Sequence, residues 1–309
     1  MPELVREFSP ELEERVAYKV GPAGIDIVYQ RVGSADAPPV LMIMGGAAQM
    51  IHWPDPLCNT LVAHGLNVTR FDNRDAGRST HFKNAPKPDL QAALAGDCST
   101  ASYTLSDMAA DVTGLMDALG IETAHIIGAS MGGQIAQTIA IEHPSRVRSL
   151  VSMMSTTGDM KVGQMDPEAM HEMFARPKAE TREEVIDQFV YAMRVVGSPG
   201  FPLDEQEVRE RAGRAYDRGH DPDALLRQAI ATVASGDRTE KLRQLKVPTL
   251  VIHGLADRMV DVSGGRATAE AIPGAELVLI EGMGHSMPSG VRQRLADHIA
   301  EFVWRVEGR

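Results

Sequence analysis

The sequence predicts an α/β domain built on a mostly parallel sheet with helices on both faces. Three observations lead there. Short apolar runs of strand length alternate with segments of helical periodicity along most of the 309 residues. Several of those runs are apolar throughout, as strands buried on both faces are. The alternation breaks once, over residues 155–244, where only helical patterns follow one another. The length admits one large domain or one domain with an inserted subdomain. The break favours the second, with 1–154 and 245–309 as the core and 155–244 as the helical insertion.

Residues 25–32 alternate apolar and polar side chains, the pattern of a half-buried strand. Residues 39–44 form a continuous apolar run that ends at Gly45-Gly46. Residues 57–64 read as a helix and 67–71 as the next strand. A polar loop spans 72–79, and a stretch rich in Pro, Lys and Ala, 84–102, reads as a long loop. Over 105–119, Leu105, Met108, Ala109, Val112, Leu115, Met116 and Leu119 recur at helical spacing until Gly120 stops them. A strand at 124–127 leads into a helix at 134–141, which ends at His143-Pro144, and 147–153 is a further strand. Within the insertion 180–196, 204–217 and 223–235 are helix candidates. Strand character returns at 247–254, followed by a helix at 263–271, a strand at 276–280 and a closing helix at 291–306.

Composition excludes several functions. The net charge is −11, with no basic cluster to offset it, which argues against a nucleic-acid or anionic-membrane partner. No run of about 18 apolar residues exists to span a membrane. Residues 2–18 are studded with Glu and Arg and lack the apolar stretch of a signal peptide, so a cytoplasmic location is expected. Two cysteines, Cys58 and Cys98, make no disulfide framework, and free thiols are expected. There is no Gly-x-Gly-x-x-Gly after a strand, no P-loop and no His-Glu-x-x-His, so neither a cofactor nor a metal is expected. The 17 methionines, several between Met153 and Met193, serve as core filler or as a soft lining for a lipophilic substrate. Oligomeric state stays open, a homodimer included.

The chemistry concentrates at Gly128-Ala129-Ser130-Met131-Gly132. A Gly-x-Ser-x-Gly pattern is weak alone, since a Gly-rich turn can produce it. Set between a strand and a helix it describes a nucleophile elbow. A serine hydroxyl needs a base to take its proton, an acid to orient that base, and donors for the oxyanion. In open parallel sheets such groups gather at the carboxyl ends of strands. His285 meets that condition in Gly282-Met283-Gly284-His285, directly after the last strand. His143 and His298 fall on helices, and His253 sits within or at the end of a strand, where a structural role is expected. Asp257 follows the 247–253 strand and fits the acid, while Asp261 suits the cap of the next helix. The backbone N–H groups of Gly46, after an early strand, and of Met131, after the serine, are the oxyanion candidates.

On these residues the chain resembles the α/β-hydrolases of serine-esterase type along nearly all of 20–309. The matching stretches are Met44-Gly45-Gly46, the Asp-x-Arg-x-x-Gly-x-Ser run from Asp72 to Ser79, Gly128 to Gly133, Gly254 to Val260, and Gly282 to His285. Trp53-Pro54, the Gly-Met-Gly-His ending and nearby Pro288 make it similar to the aclacinomycin methylesterase-like group. Met-Gly-Gly stands where His-Gly is commoner, which changes a side chain but not the proposed backbone donor. The resemblance implies that 155–244 is a cap over the site and that carboxylic esters, of a lipophilic small molecule, are cleaved through a Ser130-His285-Asp257 triad. Epoxide hydrolases and haloalkane dehalogenases of this fold use an aspartate at the elbow, and Ser130 counts against them. Lactone or amide hydrolysis, carbon–carbon bond hydrolysis and perhydrolase activity all keep the serine and stay open, as does a ligand receptor on this fold.

Overall fold

The computed structural model describes residues 7–309. Eight strands form one sheet: β1 Arg15–Val20, β2 Ile25–Val32, β3 Pro39–Ile43, β4 Asn67–Phe71, β5 Ala124–Ala129, β6 Val147–Met153, β7 Thr249–Gly254 and β8 Glu276–Ile280. Their order across the sheet is β1-β2-β4-β3-β5-β6-β7-β8. From β4 to β8 all neighbours are parallel, while β1 and β2 extend one edge antiparallel. Parallel neighbours need a crossover, which helices supply. These are α1 Asp55–Ala63, α2 Leu90–Leu94 with α3 Leu105–Ala118, α4 Met131–Glu142 and α10 Val262–Ala271, and α11 Ser289–Val306 closes the chain. The α/β class with a mostly parallel, helix-flanked sheet is as the sequence predicted.

The period of two along each strand sorts the core into two layers. Leu41 and Ile43 of β3, Ile126 of β5 and Leu150 of β6 join Leu105, Met108, Val112 and Leu115 of α3 and Ile135 and Ile139 of α4. Their chain neighbours Val40, Met42, Ile127 and Val151 face the other way, against Leu57 and Leu61 of α1 and Leu295, Ile299 and Val303 of α11. Each large side chain buried this way contributes about 1.5–3 kcal/mol. The central strands carry apolar residues on both faces because both faces are covered.

The departures from the sequence reading have physical causes. β1 is not legible, because only Ala17 and Val20 of this edge strand are buried and its pairing with β2 shifts register between them. α2 is a short helix inside the expected long loop, capped by the Asp89 side chain. Between β6 and β7 lie α5 Pro167–Phe174, α6 Arg182–Val196, α7 Glu205–Arg218, α8 Ala224–Ser235 and α9 Thr239–Leu242. The side chains of Thr181 and Asp204 cap α6 and α7, which is why those helices start a residue or two later than their periodicity suggests. α6 and α7 share a small core of Ile186, Val190, Val208 and Ala212. Ala231 of α8 and Leu242 of α9 are instead buried with the sheet cluster.

Cys58 is buried and Cys98 half-buried, and both are unpaired. Burial pushes the Cys58 thiol up to about 11. No helix of the described residues is long and apolar enough to cross a membrane. Residues 1–6, part of the N-terminal stretch in which no signal peptide is expected, lie outside the described residues.

Candidate active site

Ser130 stands between β5 and α4 with φ 56° and ψ −125°. A non-glycine residue in that region stores about 1–3 kcal/mol of strain, so its surroundings must hold it there. Ser130 N donates to Met153 O of β6 at 2.9 Å. Ser155 Oγ donates to Ser130 O at 2.8 Å. The glycines around it admit no side chain. A Cβ on Gly128 would meet Gly132 O, and one on Gly132 would meet Ile43 O of β3, both within van der Waals distance. The Gly-x-Ser-x-Gly pattern is thus the signature of a strand, a helix and a neighbouring strand in backbone contact. Met131 opens α4, so its N–H is one of the helix donors with no intrahelical acceptor, at the positive end of the helix dipole.

The loop after β3 lies directly against the serine. A Cβ on Gly45 would stand 2.9 Å from Ser130 Cβ and 3.3 Å from Ser130 Oγ. At Gly46 the nearest atoms to such a Cβ are Leu225 Cδ1 at 3.7 Å, then Gln228 Oε1 and Met131 Sδ at 4.0 Å. Asn73 Nδ2 donates to Met44 O at 3.0 Å and braces the end of β3.

Asp257 follows β7, its side chain wholly buried. Oδ1 accepts from Met259 N and Val260 N, each at 2.9 Å. Oδ2 accepts from His285 Nδ1 at 2.8 Å. With its proton on Nδ1, the imidazole keeps a lone pair on Nε2. The His285 side chain is 13% exposed. Its loop is tied to the insertion: His285 N donates to Val196 O at 2.7 Å, and Gly284 N to Ser198 Oγ at 3.0 Å. Among the described residues no hydrogen bond joins Ser130 Oγ to His285, and bonds of this kind often tighten only around substrate.

His253, read from sequence as structural, lies against this acid. Its Nε2 donates to Val260 O at 2.8 Å and stands 3.5 Å from Asp257 Oδ2. Burial lowers its pKa, which keeps the ring neutral. It props the turn that carries Asp257.

Sequence reasoning singled out the 72–79 loop but not its partners. Asp72 accepts from Met50 N at 2.7 Å, from Arg78 N at 3.0 Å and from Arg218 Nη2 of α7 at 2.8 Å. Asp75 takes two hydrogen bonds from Arg227 of α8, at 2.9 and 2.8 Å, and one from the Tyr103 hydroxyl at 2.6 Å. Hydrogen bonds to Asp75 and Asp221, set against the cost of burial, hold the Arg227 pKa above its ordinary value. Two arginines of the insertion are therefore pinned to buried carboxylates beside the site. Asp75, His81 and Asp221 are near enough to share a metal ion, but Arg227 already bonds both carboxylates and supplies the cation. The partners lie 146 and 152 positions away, so local sequence carries no signal for them.

Comparison with known proteins agrees with this architecture. Residues 38–288 match the family model described as alpha/beta hydrolase fold. Rhodomycin D methylesterase of Streptomyces peucetius is 30% identical over 282 residues, covering 85% of this chain and 89% of that protein. The 2-hydroxy-6-oxo-6-phenylhexa-2,4-dienoate hydrolase of Comamonas testosteroni is 31% identical over 267 residues, 84% of each chain. Among solved structures, a meta-cleavage product hydrolase of Pseudomonas fluorescens superposes with TM-score 0.72 over 96% of this chain and 99% of that one, at 21% identity. The chain therefore belongs to the α/β-hydrolase fold family and is a hydrolase of esterase type.

Proposed function

We propose that the protein cleaves carboxylic esters of a lipophilic acid through an acyl-enzyme on Ser130. The observation that carries this is a serine held in a strained elbow against Gly45, at the head of α4, with an Asp257–His285 pair built on neighbouring strand ends. Ser130 Oγ attacks the ester carbonyl as its proton passes to His285 Nε2. The C–O bond to the alcohol then breaks, and the alcohol leaves with that proton. Water repeats the sequence on the acyl-enzyme, releasing the acid and restoring Ser130. Asp257 fixes the Nδ1–H tautomer and stabilises the imidazolium. The N–H groups of Gly46 and Met131 hold the oxyanion, each worth on the order of 3–4 kcal/mol in the transition state.

Residues 155–244 act as the cap over a core of 1–154 and 245–309, and the cap chooses the substrate. The methylesterase relative supports a methyl ester, with methanol as the leaving group, and the Leu225 and Met131 side chains near Gly46 suit an apolar acyl part. The two unpaired cysteines support a cytoplasmic location.

The test is hydrolysis of p-nitrophenyl acetate and of aromatic methyl esters by wild type and Ser130→Ala. Loss of at least about 10³-fold in the variant is expected, and equal rates would overturn the reading. The Comamonas relative favours carbon–carbon bond hydrolysis as a second reading. Turnover of its dienoate faster than of any ester would establish that one instead.

A further inference from the structure

We propose that Gln228, on α8 of the insertion, is a positioning residue for the oxyanion loop, a role that rests on the ester-hydrolase reading above. Gln228 is fully buried, and both ends of its amide meet backbone. Oε1 accepts from Ala47 N at 2.6 Å, across 181 positions of sequence. Nε2 donates to Arg74 O at 2.8 Å. Chemistry fixes this orientation, because a carbonyl can only accept and an amide N–H can only donate.

Ala47 is the residue after Gly46, and its φ is 53°. The left-handed region costs an alanine roughly 1–2 kcal/mol, so the loop does not hold this shape unaided. One internal bond helps, Ala48 N to Gly45 O at 3.2 Å. The other restraint comes from Gln228. The Gly46–Ala47 peptide carries the N–H that Gln228 holds, and it joins at the Gly46 Cα the planar Gly45–Gly46 peptide that carries the Gly46 N–H, so fixing the first limits how far the second can turn. Gln228 itself stands on a fixed base, since Arg227 beside it is locked to Asp75 and Asp221. The insertion thus completes the transition-state site and does not only roof it. Without Gln228, Ala47 relaxes from its strained φ and the Gly46 N–H swings off the oxyanion.

The experiment measures kcat, KM and inhibition by an aryl trifluoromethyl ketone, whose hemiketal oxygen occupies the oxyanion site. Wild type, Ser130→Ala, Gln228→Leu, Gln228→Asn and Gln228→Glu are compared, with near-ultraviolet circular dichroism to establish folding. Leucine offers no hydrogen bond. Asparagine keeps a polar amide, and the buried site is less disturbed, but it is one methylene too short to reach Ala47 N–H. Each is expected to lose about 10- to 100-fold in kcat, less than the full loss of one donor, with KM within about twofold and ketone affinity weakened in proportion. Glutamate keeps an oxygen for Ala47 but loses the N–H that holds Arg74 O, so it is expected to recover kcat only in part. A kcat within about twofold of wild type in either folded variant overturns the proposal. So does a lowered kcat with unchanged ketone affinity, the mark of a merely structural role, because an affinity does not depend on the folded fraction. Ester turnover by Ser130→Ala at the wild-type rate would instead refute the underlying reading and leave the Gln228 result without bearing on it.

Discussion

Arg227→Met removes the cation that two buried carboxylates share. Arg227 and Asp75 side chains are 4% and 0% exposed, and Asp221 is 8% exposed. Removing one partner of such a pair costs about 3–5 kcal/mol, because the other charge stays buried without compensation. Asp75 keeps its bonds from Tyr103 Oη at 2.6 Å and Phe82 N at 2.7 Å, which sets the expectation at the lower end, about 3 kcal/mol. Unfolding entropy of about 2.1 cal/mol/K per residue gives roughly 0.65 kcal/mol/K for a chain of this length, so the melting midpoint should fall by about 5 °C. Scanning calorimetry at pH 7.5 measures it. The double variant Asp75→Asn/Arg227→Met removes both charges of the Arg227–Asp75 pair, leaving Asp221 beside His81, and should recover about 1–2 kcal/mol relative to the sum of the single changes. A midpoint within about 1 °C of wild type in Arg227→Met, or a strictly additive double variant, would refute the argument that this pair clamps the insertion to the core.

Two further outcomes follow from the same geometry. Gly132→Ala sets a methyl group against Ile43 O and 2.8 Å from Met44 O; it should cost about 1–3 kcal/mol of stability and on the order of 10²-fold in kcat, and a variant with wild-type melting and turnover contradicts it. Burial holds the His125 pKa down to about 4, below the roughly 6.5 of an unfolded histidine, with its ring hydrogen-bonded to Ser149 and Glu307. The unfolded state therefore binds the extra proton, and stability is intact above about pH 6.5 and lost as pH falls towards 4, at up to about 1.4 kcal/mol per unit. Melting of His125→Gln between pH 7.5 and 5 should be less pH-dependent than wild type, and equal slopes would remove His125 from the account.

Much of this protein is legible in one dimension because its signals are local. A strand covered on both faces is apolar wherever no buried hydrogen bond serves a polar side chain, as Val40 to Ile43 and Ile126 to Ala129 are. An elbow in which backbones touch must carry glycine at fixed offsets from Ser130, and Gly128 and Gly132 do. Asp257 and His285 are legible because strand ends gather on one edge of a parallel sheet, so position after a strand stands in for position in space. β1 escapes because an exposed edge strand buries too few side chains to leave a pattern.

The sequence by itself determined the α/β class, the order of β2 to β8 and of the longer helices, and Ser130, Asp257 and His285 as candidates. It could do so because each depends on periodicity or on residues within a few positions. Tertiary structure alone decided what supports them: Gln228 on Ala47, Arg218 on Asp72, Arg227 on Asp75, and Val196 and Ser198 on the His285 loop. These contacts cross large separations in sequence between an insertion of ordinary polar helices and loops that carry no periodicity. Which glutamine or arginine of a helix meets which backbone amide or carboxylate is set only when the helix docks.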